Sequence, residues 1–191
     1  MIKRISSLFL ISIFSVSVFS SFSVKAENGY SDTSQRLNNY VSKNSVVLDE
    51  QSAADVITKC SAIQSQVANL QAATSLAVRK RLNIYGDIQN NIRAIELRMM
   101  RQGVDASELD LFTGKIQAKQ NELTEAAADV GIAGDDIRLV DCQKHPEQFK
   151  AGLIEFKKLN SKVVLISKDL REMIQYSPNT TFGPLRGRLI I

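Results

Sequence analysis

The sequence is poor in the side chains that build most catalytic and metal sites. Its 191 residues include one histidine, two cysteines and no tryptophan, and aromatic residues make up 6% of the chain. Two sulfurs alone do not complete a tetrahedral metal site. No nucleophile with a neighbouring base, no carboxylate pair and no metal-ligand cluster stands out. We therefore predict that the protein is not an enzyme, with no catalytic residue, no metal ligand and no cofactor.

Acidic residues are missing from the start of the chain, which resembles a secretory signal. The segment 5–24 is uncharged and follows a basic start, and Val24 and Ala26 are small residues at the spacing of a cleavage site. We predict a signal peptide over 1–26, cut between Ala26 and Glu27. An uncleaved anchor is the alternative, because about 20 uncharged residues can just span a bilayer. The many serines and the cleavage pattern favour removal.

Export of the protein also changes its predicted charge and partners. Removing the three basic residues of the signal from a total of 24, against 20 acidic ones, lowers the net charge from +4 to +1. No broad positive field then remains to attract nucleic acid. No cysteine lies near the cleavage site to accept a lipid. We predict a periplasmic, cell-surface or extracellular protein that binds neither nucleic acid nor, after cleavage, a membrane.

Helix-breaking residues are sparse in the rest of the chain, and apolar residues recur at steps of three and four. This pattern predicts amphipathic helices over about 52–102, 106–130 and 146–176. The predicted seam positions of the first helix are Val56, Cys60, Ile63, Val67, Leu70, Ala77, Ile84, Ile88, Ile92, Ile95 and Met99. Those of the other two are Leu109, Phe112, Ile116, Leu123, Ala127, Val130, Phe149, Leu153, Phe156, Leu159, Val163, Ile166, Leu170 and Met173.

Glycines and prolines predict where these helices begin and end. Gly103 is placed to end the first helix and reverse the chain. Gly131 and Gly134 mark the end of the second helix. Pro146 suits the first position of the third helix, which should stop before Pro178.

The predicted fold class is all-α: an elongated antiparallel three-helix bundle, or coiled-coil hairpin, with one disulfide. The helical domain covers 52–176 and includes a connection over 131–145. We expect a flexible arm over 27–51, because that segment is polar and lacks a sustained apolar period. A C-terminal tail covers 177–191.

Cys60 and Cys142 are predicted to form that disulfide. An exported chain with two cysteines usually pairs them. Cys60 lies 44 residues before the predicted reversal near Val104 and Cys142 lies 38 residues after it, so an antiparallel hairpin brings both to a similar height. A metal site or redox pair is the alternative, but the spacing of a CxxC motif is absent.

The remaining polar candidates are interpreted as structural. His145 is a lone loop histidine. Asp135, Asp136 and Asp141 suggest calcium only weakly, because the ordered ligand spacing of a calcium loop is missing, and a solvated acidic turn is the prediction. Arg81 should interrupt the helical seam or reach a carboxylate across it.

Several short motifs resemble an uncharacterised family of small exported coiled-coil proteins from candidate-phylum bacteria with reduced genomes. They are the run from Lys59 to Gln64, the turn at 103–105, the second cysteine, and Phe149 in the last helix. The resemblance covers roughly 52–176 and implies an exported helical hairpin without an assigned activity. The segment 131–140 and the tail after Pro178 are less typical of it.

These features predict a non-enzymatic structural or protein-interaction module of the cell envelope or surface. A protein partner, or a second copy in a homodimer, would bind through the helical seam. The alternative is a periplasmic holdase chaperone with helical arms, although such chaperones rely on a trimerising β-body and strong basicity, and this sequence predicts neither.

Overall fold

The computed structural model describes the backbone of residues 26–180 and the side chains of residues 32–176. Four helices account for this part of the chain: α1 (Ala26–Asn44), α2 (Glu50–Arg101), α3 (Ser107–Leu139) and α4 (Pro146–Thr180). No strand occurs within these residues. The predicted all-α class is confirmed, but the bundle has four helices where the sequence predicted three.

Helices α3 and α4 form a central pair, against which α1 and α2 pack. Hydrogen bonds between α2 and α3 join residues 73, 60 and 24 positions apart in sequence, a shortening separation that defines an antiparallel hairpin. The two hydrogen bonds between α2 and α4 both join residues 86 positions apart, so these helices run parallel. Helix α1 lies mainly against α4 and reaches α3 through its polar side chains. The molecule is therefore a long bundle whose inner helices are α3 and α4.

The buried face of α2 is a heptad seam with one irregular step. Its buried residues are Cys60, Val67, Val78, Tyr85, Ile92 and Met99. Each step is seven residues except that from Val67 to Val78, which is eleven. Four extra residues in a heptad pattern locally unwind a coiled coil and move the seam around the helix. The predictions of Leu70 and Ile84 as seam residues are consequently wrong, because both are exposed.

Helix α3 continues through the two glycines that were predicted to end it. Gly134 lies at a close contact inside α3: a Cβ there would lie 2.8 Å from Oε1 of Gln71 and 3.3 Å from the ring of Phe156. Gln71 lies within the irregular step of α2, and its side-chain amide donates to the carbonyl oxygen of Gly131 at 3.0 Å. The predicted connection over 131–145 is thus reduced to the few residues after Leu139.

Helix α1 occupies most of the segment that was predicted to be a flexible arm. Leu37 is buried against Gly152 of α4. The helix ends at Asn44. Ser45, which follows it, adopts a left-handed φ of 48°, and the backbone amide of Val46 donates to the carbonyl of Val41. This is a Schellman end with serine in the place of the usual glycine. Contacts with the rest of the bundle stabilise α1, since its own sequence is polar.

The other helix ends follow the predicted signals more closely. Gly103 has a φ of 71°, and the amide of Val104 donates to the carbonyl of Met99 at 2.9 Å, which closes α2. Helix α4 begins at Pro146 as predicted but runs to Thr180, past Pro178, where it was expected to stop. The predicted signal peptide, apart from its last residue Ala26, and the tail from 181 onward lie outside the described residues.

The core of the bundle is almost entirely aliphatic, with Phe112, Phe149, Phe156 and Tyr85 as its buried aromatic residues among those described. None of the described helices combines the length and the apolarity that crossing a bilayer would require.

Candidate protein-interaction groove

The two cysteines meet at the open end of the α2–α3 hairpin. Cys60 on α2 and Cys142, in the loop between α3 and α4, form a disulfide with their Cα atoms 6.3 Å apart, and both residues are buried. Gln64, one turn beyond Cys60, donates to the carbonyl oxygens of Ile137 and Val140 at 3.0 and 3.2 Å. The start of α2 is therefore held against the end of α3 by a covalent bond and by hydrogen bonds.

An apolar groove runs along the outside of this region, between α2 and α4. It consists of two open hollows of about 310 and 260 Å³ that share Ile63 and Leu153. Its apolar floor and walls come from the α1–α2 connection, α2 and α4: Leu48, Val56, Ile63, Val67, Leu70, Phe149, Leu153 and Phe156. We call this surface the α2–α4 groove.

The groove exists because α2 and α4 both pack on α3 more closely than they pack on each other. Two parallel helices that rest on a third leave a valley on the side away from it. Here the valley is floored by apolar side chains. Leu70 is 44% exposed at its inner end.

Polar contacts close the groove towards the far end of the bundle. The hydroxyl of Thr74 donates to Oδ1 of Asn160 at 2.9 Å, and Arg81 donates to the hydroxyl of Ser167 at 2.9 Å. Arg81 does reach across the helices as predicted, but its partner there is a serine hydroxyl and not a carboxylate. These bridges fill the space between α2 and α4 that apolar side chains leave open nearer the disulfide.

Positive charge flanks the apolar part of the groove. Lys59, Lys150 and Lys157 line it and are exposed, and among the described residues none of the three has an ion-pair partner. Asp55 lines the outer end of the groove. Beyond it, α2 contains no acidic residue until Asp87.

On another side of the bundle, two cations of α1 form ion pairs with buried carboxylates of α3 and α4. Arg36 donates from Nε and an Nη atom to the two carboxylate oxygens of Asp136 at 2.9 and 2.6 Å, and Lys43 contacts Glu155 at 2.6 Å. Asp136 is 1% exposed, so the predicted solvated acidic turn is wrong for this residue. The chain uses Asp136 to bind α1.

This contact also changes the ionisation of α1. The hydrogen bond with Asp136 raises the pKa of Arg36 above its usual value. Burial raises the pKa of Tyr40 to about 12, and the negative charge of Asp136 adds to the effect. Arg36 therefore stays positive and Tyr40 stays neutral at any physiological pH.

The other predicted positions show no such convergence. His145, Asp135 and Asp141 are exposed, and within the described part of the chain no three potential metal ligands cluster. The predicted cleavage site, between Ala26 and Glu27, lies in the first turn of α1.

The sequence identified most of the apolar residues that line the groove, but it did not predict that they line an open surface. Val56, Ile63, Val67, Leu70, Phe149, Leu153 and Phe156 were all placed on helical seams. That these residues line one common valley depends on how α2 and α4 are spaced. The one available signal was the long stretch of α2 without a carboxylate.

No protein-family model matches the chain, and no curated protein and no solved structure matches it. The resemblance to exported coiled-coil proteins therefore stays a prediction.

Proposed function

We propose that this chain is a non-enzymatic interaction module, exported to the cell envelope or surface, which binds a helix of a protein partner in the α2–α4 groove. The observation that carries the proposal is the continuous apolar valley between two parallel helices. Amphipathic helices bind in such grooves through side chains one turn apart. The chain has its own example, since α1 lies against α4 and also contacts α3.

The disulfide supports the proposed export of the protein. Disulfides persist in oxidising compartments and are rare in the cytosol. The Cys60–Cys142 bond joins α2, between the groove residues Val56 and Ile63, to the loop that leads into α4. It fixes the beginning of α2 relative to α4, so that the groove is preformed. A preformed site binds more tightly because less conformational entropy is lost on binding.

The buried charged groups support a structural role. Asp136 and Glu155, the two buried acidic residues of the described chain, pair with Arg36 and Lys43 of α1. They hold the bundle together and do not face the groove.

Site-directed photo-crosslinking in the native envelope tests the proposal. The crosslinker replaces Leu70 in the groove and, as a matched control, Leu76, which is 51% exposed on the same helix but does not line the groove. We expect a discrete adduct at position 70 that disappears when Leu153→Glu places a charge in the groove, and no such adduct at 76. Equal adducts at both positions, or none at 70, would contradict the proposal.

The open apolar groove also favours the second candidate, a periplasmic holdase. A holdase would suppress the aggregation of unrelated unfolding proteins, and Leu153→Glu would weaken that activity. A dedicated interaction module would give the crosslink and leave aggregation unchanged.

Self-association through the remaining seam of α2 stays a prediction. Sedimentation of the oxidised protein over a range of concentrations tests it, since a dimer would appear as a concentration-dependent increase in mass.

A further inference from the structure

We propose that the occupant of the α2–α4 groove is an acidic amphipathic helix that belongs to another protein. The inference rests on the proposed function and adds the chemistry of the partner. Its basis is the combination of an apolar floor with lysines on both walls.

The charge around the groove is one-sided along most of its length. Lys59 is on the α2 wall, and Lys150 and Lys157 are on the α4 wall. The single carboxylate that lines the groove is Asp55, at the outer end. A helix with leucine-like side chains on one face and carboxylates beside them would match both the apolar floor and the lysines of the groove. Charge complementarity across an interface favours the matching partner and disfavours others.

The ends of this chain do not fit the site. Residues 1–25 contain three basic residues and no acidic one, and residues 181–191 contain two arginines and no acidic residue. Both segments would be repelled by the lysines. A second copy of the chain does not offer such a helix either. Helix α3, which carries many of the acidic residues, buries most of its apolar side chains within its own bundle, and its exposed large apolar residues, Leu111, Ile132 and Leu139, lie about two or more turns apart. The partner is therefore a different protein.

The shape of the groove favours a helix over a small amphiphile. Pockets for small ligands enclose most of the ligand surface, whereas this groove is open to solvent along its length. From Val56 to Leu70, α2 rises about 21 Å, which corresponds to roughly four turns of a bound helix.

Three synthetic peptides test the inference with the oxidised protein. All have about 14 residues, with leucines spaced one turn apart along one face, and they differ in their flanking residues, which are glutamate, glutamine or lysine. We expect the glutamate peptide to bind about tenfold more tightly than the glutamine peptide at low salt, and the lysine peptide to bind most weakly. Added salt should reduce the differences.

Two pairs of variants locate the effect. Lys150→Gln with Lys157→Gln should remove the advantage of the glutamate peptide and leave the glutamine peptide unchanged. Lys115→Gln with Lys162→Gln makes the same change of charge at exposed lysines that do not line the groove, and it should change neither affinity by more than about twofold.

The outcomes separate the two proposals. If the glutamate and glutamine peptides bind equally well and Leu153→Glu abolishes both, the groove is a binding site but the inference of an acidic partner is overturned. If no peptide binds, or if Leu153→Glu leaves peptide binding unchanged, the proposed function itself is overturned. Vesicles of anionic phospholipid form a further arm: if they bind through Lys150 and Lys157 and displace the glutamate peptide, the lysines serve a lipid surface and the inference fails.

Discussion

Removing Arg36 should destabilise the protein more than removing its partner Asp136, although either change breaks the same ion pair. The Asp136 carboxylate is 1% exposed, and the Arg36 side chain is 30% exposed. Arg36→Ala leaves a buried carboxylate with one long hydrogen bond, from the hydroxyl of Tyr40 at 3.4 Å. Asp136→Ala leaves a cation that already reaches solvent and retains Asp32 as a partner.

The expected magnitudes follow from this difference in burial. Removing one partner of a buried pair costs about 3–5 kcal/mol, and because one end of this pair is partly exposed we expect about 3 kcal/mol for Arg36→Ala. For Asp136→Ala we expect about 1–2 kcal/mol, since Arg36 can be hydrated. If α1 detaches, Asp136 becomes hydrated as well, so the cost cannot exceed the free energy with which α1 docks.

Urea denaturation measures the loss of global stability, and amide hydrogen exchange measures the detachment of α1. A loss of about 3 kcal/mol corresponds to roughly 100-fold faster exchange in α1. Arg138→Ala is the control, because Arg138 and Asp135 are both more than half exposed and such pairs contribute about 0.2–1 kcal/mol. Equal effects of Arg36→Ala and Asp136→Ala, or unchanged exchange in α1, would refute the reasoning.

Three further predictions concern the disulfide, the alkaline limb of stability and the glycines of α3. Replacing Cys60 and Cys142 by serine should lower the melting temperature by roughly 10 °C, because the bond closes a loop of 82 residues; identical thermal melts of variant and parent would contradict this. Because burial raises the pKa of Tyr40 from its ordinary value of 10.0 to about 12, the folded protein holds that proton more tightly than the unfolded chain. Stability should therefore fall as the pH rises from about 10 to 12. In denaturation measurements over that pH range, the stability of Tyr40→Phe should fall less than that of the parent protein. Gly131→Ala, which meets open space, should stabilise by about 0.5–1 kcal/mol, whereas Gly134→Ala, which meets a glutamine side chain at 2.8 Å, should be about 1 kcal/mol less stable than Gly131→Ala in urea denaturation.

Local patterns were sufficient where one short stretch contains all the necessary information. The end of α2 depends on Gly103 and the start of α4 on Pro146, and both are as predicted. The pairing of Cys60 with Cys142 followed from chain reversal and count alone. For Gly103 and Pro146 the physical cause, a left-handed φ or a fixed proline φ, belongs to the residue itself. The cysteine pairing depends instead on the connectivity of the chain.

Local patterns failed where a partner far along the chain decides the outcome. Gly134 looks like a helix end, but it lies inside α3 because Gln71 and Phe156 pack against it. The prediction of the α2 seam was out of register from Leu70 to Ile84 and correct again at Ile92 and Met99. The eleven-residue step that causes the shift is stabilised by contacts with α3 and α4.

The sequence by itself determined the all-α class, the three long helices, the reversal of the chain and the disulfide, because helical period, glycine and proline geometry, and cysteine pairing act locally or by chain connectivity. Only the tertiary structure decided that α1 is a helix, since its stability comes from Leu37 and Arg36 meeting residues 100 or more positions away. The tertiary structure alone also decided that seven residues predicted for the helical seams line an open groove. The spacing of α2 and α4 on α3 is a property of the packed bundle, and neither helix encodes it separately.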